Sequence, residues 1–129
     1  ERGNLARNRR NYSLAEQDYS TAITLSPNLP APYFNRAFLY LLQKKYEDAL
    51  SDARKSIELD PENSLYYGLM AKIFANQNDE DEFYKHMELA LQMGFPILEF
   101  EYDPAYESYK ERFKFTQLLE KYQGGEVAN

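Results

Sequence analysis

Apolar and small positions along this chain return every 34 residues. The step carries Tyr12 to Tyr46, Ala15 to Ala49, Ile23 to Ile57, Leu25 to Leu59 and Pro27 to Pro61, and again Tyr33 to Tyr67, Ala37 to Ala71 and Tyr40 to Phe74. A period of this length, with small and aromatic residues in fixed phase, predicts a stacked helix–turn–helix array. Within the units the apolar spacing is itself helical, as in Phe34, Ala37, Phe38, Tyr40 and Leu41. No stretch holds the period-2 alternation of a half-buried strand over useful length, so the expected fold class is all-α.

Start and stop signals divide the chain further. Ser13-Leu-Ala-Glu16 has the form of a capping box and predicts a helix to about Leu25, ended by Ser26-Pro27. Pro30 and Pro32 bracket the next start. Lys44-Lys45 lies near that helix's C-terminus, while Glu47 and Asp48 open the following helix, which closes at Asp60-Pro61. Asn63-Ser64 caps a helix over about 65–76. Asp79 to Glu82 form the first turn of its partner, which runs to Met93 and stops at Gly94. Beyond Gly94 the period breaks. Pro96 to Phe100 predict a short helical turn, and Asp103-Pro104 a further start with Asp as N-cap. A last helix over about 113–122 carries Phe115, Leu118, Leu119 and Tyr122 on one face, followed by a flexible tail over 124–129.

The middle unit contains Tyr33-Phe-Asn-Arg-Ala37-Phe-Leu-Tyr40, then Tyr46-Glu-Asp-Ala49, Ala53 and Ser56-Ile57-Glu-Leu59-Asp60-Pro61, and it resembles a tetratricopeptide repeat. The resemblance implies a right-handed superhelical array of antiparallel helix pairs. Its units are 1–29, whose first helix the chain enters part-way, 30–63 and 64–97; a helical closing segment follows over 98–123. The third unit departs from the pattern at Phe83, where the others place Ala15 and Ala49, and at Phe95 in place of the terminal proline. Phe83 suggests a wider spacing or a different crossing of that helix pair. The closing segment resembles one found after some repeat arrays, with Arg112-Phe113 where a second Asp-Pro is expected. Its expected role is to cap the open apolar end of the array.

In this family the first helix of each pair lines a concave groove that takes peptides or helices of other proteins. The register assigns Phe34, Asn35, Phe38, Leu41 and Leu42 to that groove from the middle unit. It adds Leu65, Gly68, Lys72 and Asn76 from the third unit and Asn4, Arg7 and Asn8 from the first. The expected function is a protein-interaction scaffold with apolar anchors and polar edges. Two readings leave Phe34 and Phe38 without a ligand: the closing segment covers them, or they complete a contact with upstream repeats. A different role is self-association through the first helix, with Leu5, Ala6 and Tyr12 at the interface. A clamp for acidic C-terminal chaperone tails is matched only at Asn4 and Asn35. The two basic positions that such a site needs hold Leu65 and Leu69, and leucine donates no hydrogen bond to a carboxylate.

With 129 residues the chain can form one domain with its own core. Its formal charge of −6 argues against nucleic acid as a partner. No apolar run approaches the roughly 20 residues that span a bilayer, so no membrane insertion is expected. Cysteine is absent, which removes disulfide and thiolate chemistry; a reducing compartment such as the cytoplasm fits, and a periplasm is not excluded. Arg2, Arg7, Arg9 and Arg10 at the start and the acidic run Asp79 to Glu82 read as solvated surface. His86 is the single histidine and reads as a surface or internally satisfied residue. Glu99, Glu101 and Asp103 alternate without any metal-loop spacing, and the five glycines form no phosphate loop. No cofactor, metal or catalytic residue is expected, and the chain reads as a non-enzyme.

Overall fold

The computed structural model describes the backbone of residues 2–128 and the side chains of residues 9–123. Seven α-helices and one 3-10 helix form it, with no strand among the described residues: α1 (Arg2–Leu25), α2 (Pro30–Leu42), α3 (Tyr46–Leu59), α4 (Ser64–Asn76), α5 (Glu80–Gln92), α6 (Ile97–Tyr102), a 3-10 helix (Pro104–Tyr109) and α7 (Phe113–Ala128). The chain divides into two compact units, Glu1–Pro61 and Glu62–Asn129.

In the first unit, α2 and α3 form a helix pair and α1 packs on α2. Small residues allow the close approach, since Ala37, Ala49, Ala53 and Ser56 are fully buried. Ser56 also ties the pair at its open end, its hydroxyl lying 3.4 Å from the Pro30 carbonyl oxygen and 3.1 Å from that of Asp52. Across the middle runs a bidentate ion pair. Arg36 Nε donates to Asp52 Oδ2 (2.6 Å) and Nη2 to Oδ1 (2.8 Å), while Nη1 reaches Ser20 Oγ on α1 (3.1 Å). One guanidinium thereby links three helices, and its hydrogen bonding to Asp52 raises Arg36 above its ordinary pKa.

The two hairpin turns are built alike. Lys44 and Asn78, 34 residues apart, both take positive φ (62° and 60°). The N–H of Lys45 returns to the Tyr40 carbonyl (2.8 Å) and that of Asp79 to the Phe74 carbonyl (3.0 Å), the long closing bond of a Schellman turn. Asn63 caps α4 through Leu65 N–H, as the sequence predicts; Asp79, expected within the first turn of α5, is instead its N-cap through Glu82 N–H.

The capping box at Ser13 does not start a helix. The backbone of α1 is helical from Arg2 straight through Tyr12-Ser13. By register Arg10 corresponds to Lys44, and a turn there would require a left-handed residue at a cost of about 1–2 kcal/mol. Residues 2–11 offer only Leu5 and Ala6 as apolar side chains to offset it, so the helix continues. At the other end α7 continues through Gly124-Gly125 to Ala128, where the sequence suggests a flexible tail. Glycine weakens a helix by about 1 kcal/mol relative to alanine but does not forbid it.

In the second unit, α4 and α5 pair; the 3-10 helix packs on α4, α7 on α5, and α6 against α7 and the 3-10 helix. Phe83 is the centre of this packing. Its ring is fully buried and lies 4.3 Å from Tyr109, 5.5 Å from Tyr106 and 6.4 Å from Phe115, centroid to centroid. The ring that breaks the repeat pattern is therefore directed to the closing segment. Arg112, where a second Asp-Pro is expected, pairs with Glu80 (3.0 Å) and places its guanidinium 4.6 Å from the Tyr109 ring centre.

Replacing Asp52 by alanine leaves the Arg36 guanidinium with Ser20 but no carboxylate. The expected loss is about 2–3 kcal/mol, or roughly 5–10 °C in Tm for a chain of this size. Urea melts would measure it; a change below about 0.5 kcal/mol would mean that water and Ser20 satisfy the guanidinium without Asp52.

Candidate functional site

Helix α2 carries two adjacent rows of apolar residues. Tyr33, Ala37 and Leu41, spaced by four, are buried in the first unit, and Leu41 is only 6% exposed. Leu41 is thus core and not part of an open face, because it shares the stripe of Ala37 that faces α3. The next row, Phe34, Phe38 and Leu42, is one residue further round. Phe34 is half-buried, Phe38 is 38% exposed and Leu42 53%, with Asn35 exposed beside them.

On α4, Leu65 and Asn76 are exposed, and the Asn76 amide donates to the Lys72 carbonyl (2.8 Å). Gly68 is buried beneath Phe95: a Cβ at Gly68 would collide with the Phe95 ring. Gly68 is therefore not open to a ligand, because the residue that replaces the terminal proline covers it. One turn further on, Lys72 Nζ donates to Asp103 Oδ2 (2.8 Å). Asp103 Oδ1 in turn accepts from Ala105 N–H (2.9 Å), which starts the 3-10 helix as the Asp-Pro signal predicts. The closing segment thus reaches α4 at Lys72, while Phe95, at the end of the third unit, covers Gly68. The side chains of Asn4, Arg7 and Asn8 lie outside the described residues.

Burial opposes ionisation of Asp103, yet the Lys72 ammonium and the Ala105 N–H together hold it below the usual carboxylate range. Glu88 on α5 is lowered chiefly by its hydrogen bond from Lys121 (3.0 Å) and also by that from Tyr122 (3.1 Å), which fasten α7 to α5. His86 is satisfied internally, with Nδ1 2.8 Å from the Glu82 carbonyl oxygen and its ring 5.0 Å from that of Phe74. Among the described residues no group of three or more histidines and acids could hold a metal, and no helix is long and apolar enough to cross a membrane. What these helices present is apolar rows, amides and ion pairs.

Residues 30–63, which span α2 and α3, match the family model of the tetratricopeptide repeat. The chain is a tetratricopeptide-repeat protein. Small glutamine-rich tetratricopeptide repeat-containing protein 2 of Saccharomyces cerevisiae is 30% identical over 126 residues, 92% of this chain and 34% of that protein. The STIP1 homolog of Dictyostelium discoideum is 42% identical over 65 residues, half of this chain and 12% of its own length. The chain therefore spans about a third or less of these curated relatives. The first TPR of Spaghetti (RPAP3), solved bound to the HSP90 peptide SRMEEVD, has a similar fold, with TM-score 0.63, 21% identity and coverage of 98% of this chain and 89% of that one. The Sgt2 TPR domain of Aspergillus fumigatus gives TM-score 0.57 at 25% identity, with 98% and 75% coverage. With such relatives, the chain is a protein-interaction module.

Two outcomes follow from the α4 contacts. Gly68→Ala improves helix propensity by about 1 kcal/mol yet forces the Phe95 ring away, so a net loss of about 1–2 kcal/mol is expected. In a Phe95→Ala background the same change should instead stabilise, and a double-mutant cycle of urea melts that came out additive would refute the contact. Asp103, depressed in the folded state, contributes stability that is complete above the ordinary Asp pKa of about 4 and is lost as pH falls below it. Between pH 7 and pH 3 the wild type should lose about 1 kcal/mol more than Asp103→Asn; equal losses would remove Asp103 from the acid response.

Proposed function

We propose that the chain holds a segment of a partner protein on the exposed row of α2, with Phe34, Phe38 and Leu42 as apolar anchors and Asn35 as a polar guide. The observation that carries this reading is the row itself: three large apolar side chains at i, i+4 and i+8, left half-buried to exposed while the neighbouring row Tyr33, Ala37 and Leu41 is core. Such a row matches an amphipathic helix or a peptide with apolar side chains at helical spacing. The helices are preformed, so little ordering opposes binding. In the second unit, Leu65 and Asn76 on α4 are exposed, whereas Lys72 is engaged by Asp103.

A clamp for acidic chaperone tails suits this chain less well, although the RPAP3 domain was solved with such a peptide. The positions that would need cations hold Leu65 and Leu69; the first has no donor, and the second is 4% exposed. Truncated acidic ligands need charge-assisted donors, and this chain lacks them at those positions.

Affinity capture from the source cell, with wild type beside a Phe38→Glu/Leu42→Glu variant, tests the reading. A partner retained by wild type and lost by a variant of unchanged helicity is the expected result. Capture of the same proteins by both would sink it. Titration with SRMEEVD should show no saturable, salt-sensitive binding below millimolar concentration; such binding would favour the acidic-tail clamp instead.

A further inference from the structure

The short helix α6 turns two large apolar side chains outward. Its inner side is fixed by Ile97 and by Phe100, which is fully buried against Phe95 and Tyr106 with ring centres 5.3 and 5.0 Å away. Its outer side carries Leu98 (61% exposed) and Tyr102 (74% exposed), four residues apart and therefore neighbours. Beside them is a hollow of about 460 Å³ lined by Lys72, Leu98, Glu99, Tyr102, Asp103 and Pro104. A second hollow of about 300 Å³, lined by Pro96, Ile97, Leu98, Glu101 and Gln123, adjoins it across Leu98. Both volumes fall in the range of side-chain and small-ligand sites.

The charge around this shelf is one-sided. Lys72 is the cation of the first hollow, and Asp103 matches it at 2.8 Å. That leaves the carboxylate of Glu99 in the first hollow and that of Glu101 in the second, flanking an exposed leucine and the face of an exposed tyrosine. An anionic ligand would meet a lysine already neutralised and two carboxylates. A cation would meet the reverse, with the Tyr102 ring available to its face.

We infer that the outer face of α6 is a docking surface for a partner segment that sets basic side chains on either side of an aliphatic or aromatic one, the apolar group resting on Leu98 and Tyr102 and the cations facing Glu99 and Glu101. This surface lies wholly within the second unit and is independent of the row proposed on α2. The charged contacts set orientation and salt dependence; the apolar pair supplies the burial.

Fluorescence anisotropy with the labelled peptide GSRLFRSG, and GSELFESG as its acidic counterpart, tests the inference on the full chain. GSRLFRSG should bind saturably and more weakly as salt rises, and GSELFESG should not bind. Glu99→Lys/Glu101→Lys should weaken binding at least tenfold and Tyr102→Ala about fivefold. These side chains are partly or fully exposed, so circular dichroism should show both variants folded. Phe38→Glu/Leu42→Glu on α2 should leave the affinity unchanged, which separates this surface from the proposed function. The inference is overturned by no binding up to millimolar peptide, by equal binding of the two peptides, or by indifference to the α6 variants. It is equally overturned if the α2 variant abolishes binding, or if sedimentation shows a dimer lost with Tyr102→Ala, since a second copy would then be the occupant.

Discussion

Two helices packed as a pair bury one face of each and leave the others open, and every further contact in this chain answers that constraint. In the first unit α1 covers α2. In the second the repeat pattern is broken at Phe83, whose ring is too large for the position that alanine fills at Ala49. The ring is buried instead among Tyr106, Tyr109 and Phe115, so the departure from the pattern and the closing segment belong together. Each aromatic of this kind removes ~150–250 Å² from water on burial. Phe83, Tyr106, Tyr109 and Phe115 are each no more than 2% exposed.

Polar contacts play a different part. The Arg36–Asp52 pair crosses a seam of alanines and sets the register of α2, α3 and α1 through fixed fork geometry. Lys72–Asp103 does the same between α4 and the start of the 3-10 helix. Both pairs are partly screened from water, where orientation gains more than net stability does. Beside these pairs stand a half-buried to exposed apolar row on α2 and the carboxylates of Glu99 and Glu101 on α6.

Much of this was legible in the chain. Repeat spacing, proline breaks and cap residues located α2 to α6 and the Asp103 start closely, because each signal is local. The face of a helix was less legible than its span: Leu41 and Phe38 lie three residues apart, and only packing shows that one is core and the other open. The Arg36–Asp52 pair has a signal in the sequence. Asp52 falls in the stripe Ala49, Ala53, Ser56, and an acid set among small buried residues requires a cation. The long first helix runs through the capping box at Ser13 because such a box describes what a helix start needs, not whether the preceding residues gain by turning back.

The matched turns carry a consequence for how far such a sequence can drift. Lys44 and Asn78 adopt the same left-handed backbone and the same closing hydrogen bonds, yet share neither charge nor size. The turn is therefore specified by the backbone path between two packed helices, and its side chains are nearly unconstrained. A repeat built on this plan has only a few positions that resist substitution, chiefly the small contact residues and the rings beside them. Identity can fall to about a fifth, as it does against the RPAP3 domain, while the fold persists. What diverges freely is the exposed rows, and it is there that one scaffold becomes able to serve different partners.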